Sequence, residues 1–179
     1  ESGNRVIEEY GRWLLRPLPQ GAKLIVKGDL ITNTIRYLQV CEGHRADVEV
    51  VDMSMMTYRW FLKVQGPNFP SFQWPGSHYH PHEQDIGGFS MKQLLDVNIQ
   101  PGAPPLFMAG GWHEQDPSPL ASYAHVPVGY VDLVQPAAET FEGLLQPWNH
   151  SVWGWYNATR GFNPTGLLPE TKLWDMSRR

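Results

Sequence analysis

Twice near its start the chain runs from a short apolar, β-branched segment through an acidic turn directly into a helix-periodic stretch, and that repetition narrows the available folds sharply. Residues 22–26 are the first such segment, and Gly28-Asp29 supplies its turn and a helix cap. Over residues 30–41, Ile31, Ile35 and Leu38 then recur on one face beside Thr34 and Cys41, before an exit at Gly43. Residues 47–51 repeat the strand signal, end at Asp52 and lead into a helical stretch carrying Met55, Met56, Tyr58, Trp60, Phe61 and Leu62. Two strand-to-helix units in succession predict parallel strands joined by right-handed helical crossovers. A third apolar run at residues 106–109 ends in Gly110-Gly111-Trp112-His113-Glu114, the same kind of strand end. The expected fold is α/β, a three-layer or two-layer sandwich with a small, mostly parallel sheet and helical crossovers.

The remaining pieces arrange themselves around that core. Residues 1–20 read as an entering helix or arm, with Val6, Ile7, Tyr10, Trp13 and Leu14 sharing a face until Pro17 and Pro19 stop it. Residues 21–145 form the α/β core, interrupted at 66–88 by an irregular aromatic- and His-rich insertion. That insertion exceeds the usual loop length, and its Phe69, Phe72, Trp74 and Tyr79 can pack down as a cover. A helix is expected around residues 90–97, a strand or strand pair over 126–134 and a short helix over 137–145. Residues 146–179 carry Trp148, Trp153, Trp155, Tyr156 and Trp174, enough apolar area to dock on the core.

Composition excludes several function classes. With 14 basic and 18 acidic residues the formal charge is −4, so no overall positive field attracts a nucleic-acid backbone. No window reaches the ~18 consecutive apolar residues of a membrane span, and the start has neither Met nor a signal-peptide pattern, so the chain reads as a fragment. The single cysteine, Cys41, rules out an internal disulfide framework, lacks a basic activator and reads as a buried structural thiol. Sequons at Asn149 and Asn157 would accept glycans if this surface faced the secretory lumen.

Three clusters could carry chemistry. Asp29, Asp52, His113 and Glu114 fall at expected carboxyl ends of strands, where an open sheet gathers its ligand-binding loops. The plain alternative is that Asp29 and Asp52 cap the helices that follow. His78, His80 and His82 with Glu83 could converge on zinc from a bent loop, but without a scaffold directing four ligands the expectation is a surface or partner contact and no metal. Trp148, Trp153, Trp155 and Tyr156 could stack on sugars, and core packing explains them as well. No dinucleotide fingerprint, nucleophile elbow or Walker loop is present.

The order of several short pieces, Leu18-Pro19, residues 22–26, Gly28-Asp29-Leu30, residues 35–39, residues 41–48, Val51-Asp52 and Met55-Met56-Thr57-Tyr58, resembles one family. It is the lumenal portion of polytopic protein O-mannosyltransferases that modify plexin and related receptor domains. A looser match continues through Asn68-Phe69-Pro70, residues 107–117 and Tyr156-Asn157. The resemblance implies a soluble domain on the endoplasmic reticulum lumen side of a multi-pass membrane protein. There, a membrane-embedded catalytic part of the same polypeptide transfers mannose from dolichyl-phosphate mannose to Ser or Thr of folded receptor-type acceptors. The family's acidic catalytic residue belongs to that membrane portion, and nothing in this stretch matches it. The chain itself is therefore expected to be non-catalytic and to hold no cofactor. Its expected acceptor or ligand rim comprises Asp29, Asp52, Thr57, Tyr58, His113 and Glu114. Two other classes stay open on the residues alone: an independent carbohydrate-binding or interaction domain, and a small sugar-processing enzyme using Asp29, Asp52, His113 and Glu114.

Overall fold

The two expected strand-to-helix units form as the sequence pattern dictates. In the computed structural model, which describes residues 5–81 and 86–137, α1 (Val6–Leu15) leads to β1 (Lys23–Val26), α2 (Asp29–Glu42) and β2 (Glu49–Asp52). The stretch after β2 breaks into two helices, α3 (Met53–Met56) and α4 (Arg59–Gln65), because Tyr58 takes an extended conformation between them. Within the insertion, β3 (His78–Tyr79) pairs in parallel with β4 (Gly88–Phe89). The chain continues through α5 (Met91–Asn98), β5 (Leu106–Ala109), β6 (Tyr123–Val128) and β7 (Val131–Pro136).

The main sheet has the order β2-β1-β5-β7-β6. β1 lies parallel to both β2 and β5, whereas β7 is antiparallel to β5 and to β6, so the sheet is mixed and not mostly parallel. The physical reason is the last connection. β6 and β7 are joined only by Gly129-Tyr130, and a two-residue loop can link antiparallel strands alone. Parallel strands need a crossover of a dozen or more residues, which the chain supplies between β1 and β2.

Both faces of the sheet are covered, which gives three layers. On one face α1 and α2 bury Leu14, Leu15, Ile31, Ile35 and Leu38 against Leu24, Val26, Phe107 and Leu133. On the other, α3, α4, α5 and the insertion bury Met53, Phe61, Phe72, Tyr79 and Leu94 against Ile25, Val51, Met108 and Val134. The insertion is thus a cover, with Phe72 stacked on Trp74 at 5.2 Å between centroids. Gly11 lets α1 approach α2 closely, since a Cβ there would lie 2.4 Å from Thr34 Cγ2. Cys41 overturns its expectation: it is exposed, because the face of α2 that packs inward is set by Ile31, Ile35 and Leu38.

One ion pair ties the α1–β1 linker to the start of β2. Arg45 engages both oxygens of Asp47 at 2.9 and 3.0 Å and donates to the carbonyls of Leu15 and Pro19, while the Gly21 N–H donates to Asp47. The Arg45 hydrogen bond holds the Asp47 carboxyl down at about 2, below its ordinary 3.8. A carboxylate with a depressed folded pKa stabilises above its unfolded value and loses that contribution as pH falls. Asp47→Asn is accordingly expected to cost about 1 kcal/mol at neutral pH. Urea titrations should show the difference from wild type shrinking between about pH 4 and pH 2.

Candidate functional site

Three strand ends meet where β2, β1 and β5 lie side by side, with Val26 in register with both Asp52 and Ala109. The turns after these strands carry the expected rim. Asp52 is the N-cap of α3: its Oδ1 accepts from the Ser54 and Met55 N–H groups at 2.7 and 3.1 Å, and its Oδ2 accepts the Thr32 hydroxyl at 2.8 Å. Its carboxylate is therefore engaged on both oxygens. Asp29 is different. The N-cap of α2 is Gly28, no side chain caps that helix, and Asp29 stands exposed in the first turn, where its charge faces the positive end of the helix dipole.

The loop after β5 is folded back against β1. Lys27 N–H donates to the Ala109 carbonyl at 2.9 Å, and Lys27 Nζ donates to the Trp112 carbonyl at 2.8 Å. At Gly110, with φ 95°, a Cβ would sit 2.3 Å from the Lys27 carbonyl oxygen, so only glycine allows this approach. Beyond it the chain turns over the face that carries α5. His113 comes to lie edge-on to Tyr79 at 6.4 Å between centroids, and Glu114 is exposed. On the β2 side, the Thr57 hydroxyl donates to the Ser54 carbonyl at 2.7 Å, and Tyr58 is exposed, stacked on Trp60.

In the insertion, His78 is buried with Nδ1 2.9 Å from Ser77 Oγ, and its ring meets that of His80 at 6.0 Å. Among the described residues no group of three or more His, Cys, Asp or Glu could hold a metal ion. His82 and Glu83 lie outside the described residues, as do the sequons at Asn149 and Asn157, the expected helix over 137–145 beyond Ala137, and the aromatic segment 146–179.

Sequence reasoning missed the polar groups that hold this framework. Asp116, 5 % exposed, accepts the Tyr79 hydroxyl at 3.0 Å and the Met91 N–H at 2.8 Å on Oδ2, and the Ser118 N–H at 3.0 Å on Oδ1. Burial, together with the adjacent carboxylate, pushes the Tyr79 phenol well above its ordinary pKa. At the other end of α5, buried Lys23 donates to the Asn98 carbonyl at 2.7 Å, and desolvation lowers its pKa. His125 meets Asp132 at 3.0 Å beneath Trp112, whose ring lies 4.1 Å from the imidazole. Of these, only Lys23 had a local signal, a cation interrupting an apolar strand.

No family model and no solved structure matches the chain. It is 33 % identical over 180 residues to a mouse protein described as protein O-mannosyl-transferase TMEM260, covering 96 % of this chain and 25 % of that protein. A Dictyostelium discoideum protein of the same description is 34 % identical over 140 residues, covering 78 % of the chain and 17 % of its own length. The chain thus spans about a quarter or less of the curated relatives it matches. Among the described residues no helix is long and apolar enough to cross a membrane. The chain is homologous, over nearly its whole length, to one region of the protein O-mannosyl-transferase TMEM260 family.

Proposed function

We propose that this chain is the lumenal, non-catalytic region of a membrane protein O-mannosyl-transferase, and that it positions folded acceptor domains for mannose transfer to Ser or Thr. The observation that carries this reading is the alignment of 96 % of the chain with only 25 % of the mouse transferase, leaving most of that protein to hold the chemistry. The donor would be dolichyl-phosphate mannose, bound by the membrane-embedded part of the same polypeptide on the endoplasmic reticulum lumen side. The acceptors would be receptor-type domains such as those of plexins.

The rim of Asp29, Asp52, Thr57, Tyr58, His113 and Glu114 is the surface proposed to meet the acceptor or its glycan. It is better suited to contact than to proton transfer, since both Asp52 oxygens are occupied by the α3 cap and by Thr32. Exposed Asp29 and Glu114, with half-buried His113, offer polar groups at a strand-end edge while the core beneath stays apolar.

The isolated chain, supplied with dolichyl-phosphate mannose and a folded receptor acceptor, is expected to show no transfer while the full-length enzyme turns over. Robust turnover by the isolated chain would overturn the reading. In the full-length enzyme, Asp29→Ala and His113→Ala should weaken acceptor affinity while transfer at saturating acceptor stays near normal. Asp52→Ala should also lower stability by about 1–2 kcal/mol through loss of its cap, whereas Asp29→Ala should cost less than about 1 kcal/mol. Normal binding with severely reduced single-turnover transfer would move the rim into the chemical step, and normal binding with normal transfer would leave it purely structural.

A further inference from the structure

The β6–β7 hairpin carries a titratable pair that the acceptor reading leaves unused. His125 is in register with Val134 and Asp132 with Pro127, so the two are diagonal neighbours on the sheet face that Tyr123 and Val134 turn toward α5. His125 Nδ1 stands 3.0 Å from Asp132 Oδ2, whereas Nε2 is closed off from water and has no hydrogen-bond partner. Trp112 packs edge to face against the imidazole, with centroids 4.1 Å apart and planes 76° from parallel. That tryptophan belongs to the loop after β5. Its carbonyl accepts Lys27 Nζ at 2.8 Å, and the next two residues are His113 and Glu114 of the rim. A continuous chain of contacts therefore runs from His125 through Trp112 to the rim.

A carboxylate facing Nδ1 calls for a proton on that nitrogen. In the neutral imidazole Nε2 is then a bare lone pair, shut away from water without a donor. Proton uptake replaces the lone pair by an N–H, which an aromatic face accepts, and turns the Asp132 contact into an ion pair. The other charges on this face are already engaged. Asp96 of α5 accepts Lys92 Nζ at 2.7 Å and the Tyr123 hydroxyl at 2.8 Å, Lys27 is held by the Trp112 carbonyl, and His113 and Glu114 follow Trp112 along the loop. We propose that the His125–Asp132 pair is a positioning device for the rim: with a proton on His125, Trp112 is gripped more firmly and the His113–Glu114 segment is held in its acceptor-binding arrangement. The proposal rests on the acceptor reading and adds its regulation. Acceptor binding and proton uptake at His125 favour each other, so affinity rises as pH falls across the range in which imidazoles titrate, about pH 8 to pH 6.

Two measurements separate this device from the reading on which it rests. In the 179-residue chain without acceptor, the indole N–H resonance of Trp112, identified by its loss in Trp112→Phe, should move with pH in step with the ring resonances of His125. His125→Asn still donates to Asp132 but cannot take up a charge, and should leave the Trp112 resonance fixed. In the full-length enzyme, the Kd for a folded receptor acceptor should tighten roughly threefold from pH 8 to pH 6. His125→Asn should hold the pH 8 affinity throughout, while His44→Gln, between α2 and β2, should keep the wild-type response. If His125→Asn melts early, Asp132→Asn takes its place and should move the response to more acid pH. A pH response of Kd that survives His125→Asn would assign it to His113 itself and overturn the proposal. A Trp112 resonance indifferent to pH, or a Kd that stays flat while that resonance moves, would overturn it equally. Failure of the acceptor reading shows differently: His113→Ala then leaves acceptor affinity normal while Trp112 still follows His125.

Discussion

Replacing Asp116 by alanine is expected to destabilise the fold by about 3–5 kcal/mol, because two buried donors lose their shared carboxylate acceptor at once. The Tyr79 hydroxyl and the Met91 N–H both reach Asp116 Oδ2, and an unpaired buried donor costs about 1–3 kcal/mol. Met91 opens α5, where backbone N–H groups have no partner within the helix. Three successive N–H groups are answered there by Asp116, by Ser118 Oγ and by the capping box of Ser90 and Gln93. Asp116 thereby welds the loop after β5 to the start of α5 and to β3. Tyr79→Phe removes one hydrogen bond without leaving the Met91 donor bare and should cost about 1 kcal/mol. Urea unfolding of both variants checks the pair, and a similar small loss for each would show that the Asp116 cluster is held by packing alone.

Asn98→Leu should cost a comparable 3–5 kcal/mol at the opposite end of the same helix. The Asn98 side chain donates to the carbonyls of Gln73 and Leu94 at 2.7 and 2.8 Å, and its Oδ1 accepts from the Gln73 N–H at 3.0 Å and from Lys23 Nζ at 3.3 Å. Leucine would fill the volume but strand the Gln73 backbone and leave a buried ammonium with the Asn98 carbonyl. Lys23 is 1 % exposed on β1, beside the Phe72 ring at 5.7 Å, so water cannot readily replace the lost partner. The companion change Lys23→Met removes the charge as well and should be milder than Asn98→Leu, since the cost of an unpaired buried cation disappears with the cation. Equal losses for the two would argue that the ammonium is solvated in the folded state. Asp116 and Asn98 share no partner, so a double variant should be close to the sum of the two single losses.

These two hubs explain how an irregular insertion can serve as a layer. Residues 66–81 present aromatic rings to the sheet, but their backbone polar groups must also be met. Asn98 binds the Gln73 backbone, and Glu49 on β2 accepts the Ser71 N–H at 2.9 Å, so the cover is fastened where it crosses the amino ends of β1 and β2. A second fastening lies beyond the carboxyl end of β5, where Asp116 binds Tyr79 of β3 and His113 of the proposed rim packs against the same ring.

Local chemistry alone determined the elements whose signals are short in range. The apolar runs of β1, β2 and β5, the periodicity of α2, and Ser90 ahead of α5 are legible because propensity, capping and the hydrophobic face all act within a few residues. The same locality placed Asp29, Asp52 and His113 each after the carboxyl end of a strand, since a turn follows its strand directly in the chain. Only the tertiary structure decided that β5 joins β1 and that β7 runs against it, because strand order depends on which apolar faces find each other across long separations. It also decided that Asp52 has both oxygens engaged while Asp29 is exposed, that Cys41 faces outward, and that Asp116, Lys23 and Asn98 bind partners 25 to 75 residues away. A hydrogen bond leaves no periodic trace in sequence when its two ends are separated so far, and burial gives such bonds their strength only after the layers have closed.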